Sequence, residues 1–513
     1  MKKKYLSLLP AAVAAIFSLS SCSDSFLDRE PEGYYIQESQ MQDAVKWNTK
    51  VLLGEVQSIS TQLFRWKAGG TSSQGDFGQK SIDIATDIMS HDCVFYGQSY
   101  YGYFESEAQL INTIETSTSS DWYYYYKVIN ASNFVFGSIG SDEVMPENNQ
   151  NKVYYGIAKT VRAYAYYNLL TMFGGTYEHS KNLAFIPVYR TQSETAAAPC
   201  TGDSVVRQII FDCEGAIAAY EAAMNDPDGD VATVTGIDQP DEDVAYTILA
   251  YTYLYTGEWA KAQAAAEKAL EVASNKSVLA EKDLYNGFNS VDTYSDNWMW
   301  GYDITADNTG ALCTFWGMVD YYTYSYQYAG DYKVINYDLY NQIPETDGRK
   351  SWFPLMSSRY PDLLMPIGKF HSAISSKAGG DRKWESDIHF MRYEEPVLIA
   401  AEAAARAGDL ASARAHLHTL VNNRDSVKAE TIDAMGQQEL LDEILYNWRV
   451  EFFLEGKSLQ TLKRFGATIT PAENDGYADA LGTGISANDP TFIWAVPRTE
   501  KQYNPYMTNV KNK

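Results

Sequence analysis

Two stretches concentrate side chains whose faces and edges could hold a ligand. Residues 320–332 read DYYTYSYQYAGDY, in which Tyr322, Tyr324, Tyr326 and Tyr328 recur at period two. On a β-strand that spacing sets the four rings on one face and Thr323, Ser325 and Gln327 on the other. The run CTFWGMVDYYTYSYQY, which overlaps it, adds Trp316 and Tyr321. A second run, HDCVFYGQSYYGYF, carries Tyr96, Tyr100, Tyr101 and Tyr103 among Gly and polar residues. Tyr and Trp pair a flat apolar face with one polar edge atom, so such clusters either stack on a ligand and bond its rim or close a core. Both readings stay open on these residues alone.

Other chemistry-like patterns fail on local grounds. Gly202-Asp203-Ser204 imitates a hydrolase nucleophile turn, but an amphipathic helix starts directly after it, and Asp203 or Ser204 as helix N-cap is the expected role. NDPDGD at 225–230 has its glycine misplaced for an EF-hand and no closing Glu. His416 and His418, two apart on a helix, point away from each other and make poor metal partners. Glycoside hydrolysis needs two carboxylates across a cleft, and with 66 acidic residues chance pairs decide nothing. No P-loop or dinucleotide-binding glycine pattern occurs, and no cofactor is implied.

The elements that must position these rings begin with a leader. MKKKYLSLLPAAVAAIFSLSSC has three lysines, fifteen apolar-rich residues from Tyr5 to Leu19, then small residues, which reads as a signal peptide over residues 1–21. Leu19-Ser20-Ser21-Cys22 resembles a bacterial lipobox, so Cys22 is the expected lipidation site and first mature residue, with Ser23 pointing to outer-membrane placement. Several acyl chains at about 0.8 kcal/mol per buried methylene make a durable anchor. Removing the leader takes the formal charge from −25 to −28. Such an acidic body repels phosphate backbones and anionic lipids, which argues against nucleic acid as a partner. Cys93, Cys200, Cys213 and Cys313 form no C-x-x-C pair, and the sequence does not give their pairing.

The mature chain, residues 22–513, reads as a single, mostly α-helical domain with few short strands. AYTILAYTYLYTGEWAKAQAAAEKALEVAS, at 245–274, places Leu249, Ala250, Tyr253, Gly257, Ala262, Ala266 and Ala269 at tetratricopeptide spacing. VLIAAEAAARAGDLASARAHLHTLVNNR repeats the offsets with Ala401, Ala404, Gly408, Ala413, Leu417 and Leu420. Residues 159–173 look like a further repeat helix whose partner, near Asp203, is displaced by an insertion. Divergent helices are expected at 41–63, 121–136 and 437–455, giving helical repeats over about 41–275 and 391–466. Between them, about 285–390, Gly, Asn, Asp, Pro and aromatics crowd in and helical periodicity fades, as in a ligand-loop system.

Seven segments in order then resemble the SusD/RagB family of surface lipoproteins. They are SDSFLDREPEG, WYYYYKVINASNFVF, AKTVRAYAYYNLLTMFGG, LYNQIPETDGRKSWF, MRYEEPVLIAAEAAARAG, NWRVEFFLEGKSLQTLKRFG and WAVPRTEKQYNP. The penultimate block departs from the family pattern, with Ser458 and Thr461 where Arg and Asp are usual; Glu451, Glu455, Lys463 and Arg464 remain, and the block reads as structural.

The resemblance implies a tetratricopeptide-like scaffold and a non-enzymatic, nutrient-uptake role. It implies an oligosaccharide-binding lipoprotein on the outer membrane, facing the cell exterior and serving a SusC-like TonB-dependent β-barrel transporter. On that reading Tyr96, Tyr100, Tyr101, Trp316, Tyr321, Tyr322 and Tyr324 are the candidate ligand-binding residues. A sugar ring suits them, with apolar C–H faces for stacking and hydroxyls for the polar edges. Residues 121–126 lie on a family helix and are expected mainly in the core. The alternatives are peptide binding, as the RagB side of the family permits, a surface glycoside hydrolase, and a pure interaction scaffold.

Overall fold

The computed structural model describes residues 38–97, 116–192, 196–224, 236–310, 312–355, 363–373, 380, 382–474 and 484–512. Helices α1 (Glu38–Trp47), α2 (Leu53–Gln62) and α3 (Gln79–Met89) lead into strand β1 (Cys93–Tyr96). Two long helices follow, α4 (Thr116–Ile139) and α5 (Asn149–Gly174), then the hairpin β2 (Ala184–Pro187) and β3 (Pro199–Thr201). Helices α6 (Gly202–Met224), α7 (Glu242–Thr256) and α8 (Trp259–Val272) come next. The irregular segment holds β4 (Trp298–Tyr302), α9 (Phe315–Val319), the single turn α10 (Tyr326–Ala329), β5 (Tyr332–Ile335) and β6 (Ile388–Arg392). The chain returns to α11 (Glu394–Ala407), α12 (Leu410–Val421), α13 (Gln437–Glu451) and α14 (Ser458–Phe465).

Helices α5, α6, α7, α8, α11 and α12 stack one on the next, so α11 docks on α8 although more than a hundred residues separate them in sequence. This is how helical repeats bury apolar faces that none could bury alone. The two clear repeats are confirmed in detail. Ala262, Ala266, Ala401, Ala404 and Ala413 are fully buried where helices cross closely. Gly257 and Gly408 end the first helix of each pair at φ +79° and +84°, a left-handed cap that costs an L-residue about 1–2 kcal/mol. The insertion is thereby looped out, and two short ribbons hold it. Strand β1 pairs antiparallel with β5, Tyr96 opposite Tyr332, and β4 pairs antiparallel with β6.

The short sequence blocks meet in one buried cluster. Glu451 accepts from Arg424 Nε at 2.8 Å, Arg392 Nη1 at 3.1 Å and Arg349 Nη1 at 3.2 Å. Glu455, one helical turn on, accepts from Arg392 Nε at 2.9 Å, Lys369 Nζ at 2.6 Å and His389 Nε2 at 2.7 Å. Asp347 holds the other edge of Arg349 at 2.7 Å, and Glu394 bonds Arg424 at 3.1 Å. Four cationic side chains therefore face four carboxylates, all nearly or fully buried. Balanced pairing of this kind is what lets charges leave water. Burial opposes the charged form of Glu455, but Arg392 and Lys369 overcome it and hold the carboxyl well below its usual range. Burial, with Lys80 adding to it, holds the His389 imidazole down at about 3. His389 is therefore neutral at pH 7 and donates its Nε2 proton to Glu455. The block around Glu451 and Glu455 is structural, as its sequence suggests.

Several local expectations need correction. The cap of α6 is Thr201, whose Oγ1 accepts from Ser204 N at 3.2 Å. Asp203 instead accepts from the Tyr177 hydroxyl at 2.9 Å, because the β2–β3 hairpin delivers Thr201 to the helix start. His416 and His418 do diverge, to Glu267 at 3.1 Å and Asp433 at 3.0 Å. Cys93 and Cys213 are buried core residues, and Cys200, Cys213 and Cys313 form no disulfide among the described residues. NDPDGD and Cys22 lie outside the described residues.

Candidate functional site

The tyrosine strip is not a strand. The chain turns at Asp320, whose carboxylate accepts from Tyr322 N at 3.0 Å and Thr323 N at 3.2 Å, and it winds into α10 after Ser325. Alternation survives in burial, and it is the polar residues that go inward. Thr323, Ser325 and Gln327 are at most 1 % exposed, while Tyr324 and Tyr328 are 39 % and 38 % exposed and Tyr322 and Tyr326 half-buried. Two of these three side chains, Ser325 and Gln327, serve the backbone. Ser325 Oγ accepts from Tyr328 N at 2.9 Å and donates to the Asp320 carbonyl. Gln327 pairs with both main-chain groups of Lys333, at 2.8 and 3.3 Å. A main-chain group buried without a partner costs about 1–3 kcal/mol, and with the polar side chains placed inward to meet these groups the alternate rings are turned out.

Tyr321, Tyr322 and Tyr328 form one aromatic cluster with His371, and Tyr324 stands with Arg382 and Trp384. Tyr321 meets Tyr322 and Tyr328 edge to face, each at 5.9 Å between centroids, and Tyr322 meets His371 at 6.4 Å. Arg382 lies 5.0 Å over the Tyr324 ring, and Trp384 Nε1 donates to the Tyr324 carbonyl at 3.2 Å. Gly380, at φ +81°, passes close by: a Cβ there would stand 3.6 Å from the Tyr328 ring. The sequence reading did not single out His371, Arg382 and Trp384; the signal available was a tryptophan and an arginine in the Gly- and charge-rich stretch GGDRKWES.

Strands β1 and β5 bring the two sequence clusters together. Tyr96 and Tyr321 both pack against the small apolar cluster of Val94, Tyr332, Val334, Met365 and Ile367. The Tyr96 hydroxyl donates to the Asn474 carbonyl at 2.5 Å, so its polar edge is committed to the protein. Tyr100 and Tyr101, with Tyr103, lie outside the described residues. Trp316 needs correction: it is 2 % exposed, packs edge to face on Phe315 at 5.3 Å, and donates Nε1 to the Asp387 carbonyl at 3.0 Å. It is a core residue and leaves no face for a ligand. Trp298, Trp300 and Trp352, from the same insertion, are fully buried too. On α4, Trp122, Tyr124 and Tyr125 are core as expected, while Tyr123 and Tyr126 are half-buried along a cleft.

The electrostatics around the surface are structural. Burial raises the Asp320 and Asp387 carboxyls, the latter to about 6, and both accept backbone N–H bonds. Burial lowers Lys333 to about 8, and its ammonium bonds the Met318 and Asp331 carbonyls at 2.9 and 2.8 Å. Among the described residues no group of three His, Cys, Asp or Glu side chains is placed to hold a metal ion. The arrangement offers stacking faces, phenol edges and one guanidinium.

Residues 354–510 match the SusD family, and residues 82–254 match the family described as starch-binding associating with outer membrane. No curated protein matches the sequence. Among solved structures, a SusD-like carbohydrate binding protein from Bacteroides vulgatus superposes with a TM-score of 0.71 at 21 % identity, over 93 % of this chain and 99 % of its own. A SusD superfamily protein from Bacteroides thetaiotaomicron gives 0.70 at 17 % identity, over 91 % and 98 %. Surface glycan-binding protein A from Bacteroides thetaiotaomicron, in complex with laminarihexaose, gives 0.66 at 15 % identity, over 90 % and 99 %. At these identities the likeness to the solved structures is one of fold.

Proposed function

This chain belongs to the SusD/RagB family, and from that premise we propose that it captures oligosaccharide at the cell surface and passes it to a TonB-dependent β-barrel transporter. The observation that carries the reading is the pair of exposed rings Tyr324 and Tyr328, with half-buried Tyr321 and Tyr322 against Tyr328 and Arg382 and Trp384 against Tyr324. Flat apolar faces edged by phenols and a planar guanidinium suit pyranose rings, whose C–H faces stack and whose hydroxyls accept and donate. An open aromatic surface also suits an extended polymer better than a single small molecule. Tyr100 and Tyr101 belong to this proposal through the adjoining β1 segment. Trp316 is withdrawn from it.

In this reading Cys22 carries the lipid anchor, the stacked helices form the rigid body that meets the transporter, and the ligand is bound without being cleaved. The test is binding of the full-length protein in detergent to a panel of oligosaccharides, with peptides as the contrasting set. Binding to at least one glycan, with no new reducing ends after prolonged incubation, is expected. Peptide binding with no glycan bound would move the cargo to peptides, and turnover would make the protein a hydrolase.

A further inference from the structure

A cavity of about 50 Å³ lies away from the tyrosine surface, lined from α3, α5, α7, β6, α13 and α14. Its wall includes Tyr164, Tyr251, Trp448, Lys457, Gln460 and Arg464. A buried water needs about 10–15 Å³, so the space takes roughly three to five water-sized groups. It lies in the block where the sequence departs from the pattern it resembles, and Thr461, one of the two departing residues, lines it.

The wall is rich in unused donors. Trp448 is fully buried, and its indole N–H, which can only donate, has no acceptor among the described residues. Gln460 Nε2 is likewise buried with no partner among the described residues. The acceptors nearby are already taken. Glu395 is held by Lys457 Nζ at 3.1 Å and by the Tyr251 hydroxyl at 2.7 Å. Glu402 is held by Arg464 Nη2 at 2.9 Å and Arg406 Nε at 3.0 Å, and Asp83 by Lys80 at 3.1 Å. Of the charged side chains that line the cavity, Lys457 and Arg464 outnumber Asp83 by one, and Asp87, behind the wall, is already held by Gly456 N and Ser458 N at 3.3 Å each. In a chain of formal charge −25 that lining is net positive, and its two buried polar atoms without a partner among the described residues are both donors. Buried donors left without an acceptor are costly, and a group with two acceptor oxygens and one negative charge answers both deficits.

We propose that this cavity is a binding site for a small carboxylate, its oxygens taken by Trp448 Nε1 and Gln460 Nε2 and its charge balanced by Lys457 and Arg464. Lys457 and Gln460 are half-buried, so the site reaches the surface between α5 and α14, and the carboxylate is either a free short acid or a group carried by a larger molecule. The site is independent of the glycan surface.

The test uses the full-length protein, with thermal unfolding and calorimetric titration in sodium acetate, in sodium glucuronate, and in sodium chloride at matched ionic strength. Acetate is expected to raise the melting temperature saturably where chloride does not. Gln460→Leu, which removes the amide at nearly constant volume, and Trp448→Phe, which removes the indole N–H and some volume with it, are each expected to weaken acetate binding at least tenfold. A glucuronate response equal to that of acetate assigns the group to a larger molecule, and acetate alone assigns a free acid. No acetate-specific shift in the wild type, or the same shift in both variants, overturns the proposal. So does a Trp448→Phe protein that is more stable and binds acetate as before.

Discussion

Trp316 and Tyr324 lie eight residues apart on the same insertion, yet one is 2 % exposed and the other 39 %. The two rings differ in what the surrounding backbone demands. Trp316 has a single donor, and the Asp387 carbonyl ahead of β6 meets it at 3.0 Å, so the indole goes inside. Trp352 does the same with the Leu284 carbonyl at 2.9 Å. Around Tyr324 the inward positions are taken by Thr323, Ser325 and Gln327, and Ser325 and Gln327 bond main-chain groups that would otherwise be buried unmet. The tryptophans therefore hold the insertion together, and the tyrosines are free of that duty. Aromatic content alone does not mark a ligand surface; the polar residues between the rings decide it.

That contrast can be broken experimentally. Trp316→Ala is expected to cost about 3–5 kcal/mol of stability, the usual range for truncating a buried aromatic ring, while glycan affinity per folded molecule stays unchanged. Chemical denaturation beside calorimetry checks both, and lost affinity in a fully stable variant would return Trp316 to the binding surface. The next effect comes from acid. His389 has a folded-state value of about 3 against an ordinary 6.5, so between those limits the unfolded chain binds a proton that the folded chain refuses. Stability then falls as pH is lowered, by about 2–3 kcal/mol from pH 6.5 to 4.5. Glu455, whose value is depressed, adds its own loss as the pH falls through the ordinary carboxylate value and below it. His389→Gln should flatten the slope between pH 6.5 and 4.5 and leave the steeper fall beneath it; an unchanged slope would mean the imidazole is not held neutral. The smallest effect belongs to Tyr324→Ala. Stability should move by no more than about 0.5 kcal/mol, while glycan binding weakens about tenfold, or about 1.4 kcal/mol. If Tyr324→Ala instead unfolds the protein, the division between buried indoles and exposed phenols is wrong.

The helical scaffold was legible because its signals are local. Gly257 and Gly408 mark helix ends through their own φ angles, and the alanines at crossings follow a fixed spacing. The candidate site was legible only in part. Period two at Tyr322 to Tyr328 announces alternation, and the alternation is real, but its sense depends on Asp320 and Lys333, which lie outside the pattern. Trp316 resembled its tyrosine neighbours because its acceptor is 71 residues away. Arg382 and Trp384 joined the surface from a stretch with no periodicity at all, for the same reason.

The buried cluster around Glu451 and Glu455 bears on the order in which the chain can fold. Its contributors arrive over more than a hundred positions: Asp347 and Arg349 early, Lys369, Arg392, Glu394 and Arg424 later, and the two glutamates last. Until α13 is made, Arg349 has only Asp347, and Arg392 and Arg424 share the single carboxylate of Glu394, so the cations outnumber their counter-charges and cannot leave water cheaply. The insertion, the second clear repeat and the C-terminal helices are thus committed together in one late, long-range step. Such a step is slow by topology, and it ties the closing of the insertion to completion of the chain. A chain cut before Glu451 would keep its first helical stack in sequence and lose the cluster that ties the insertion to the C-terminal helices.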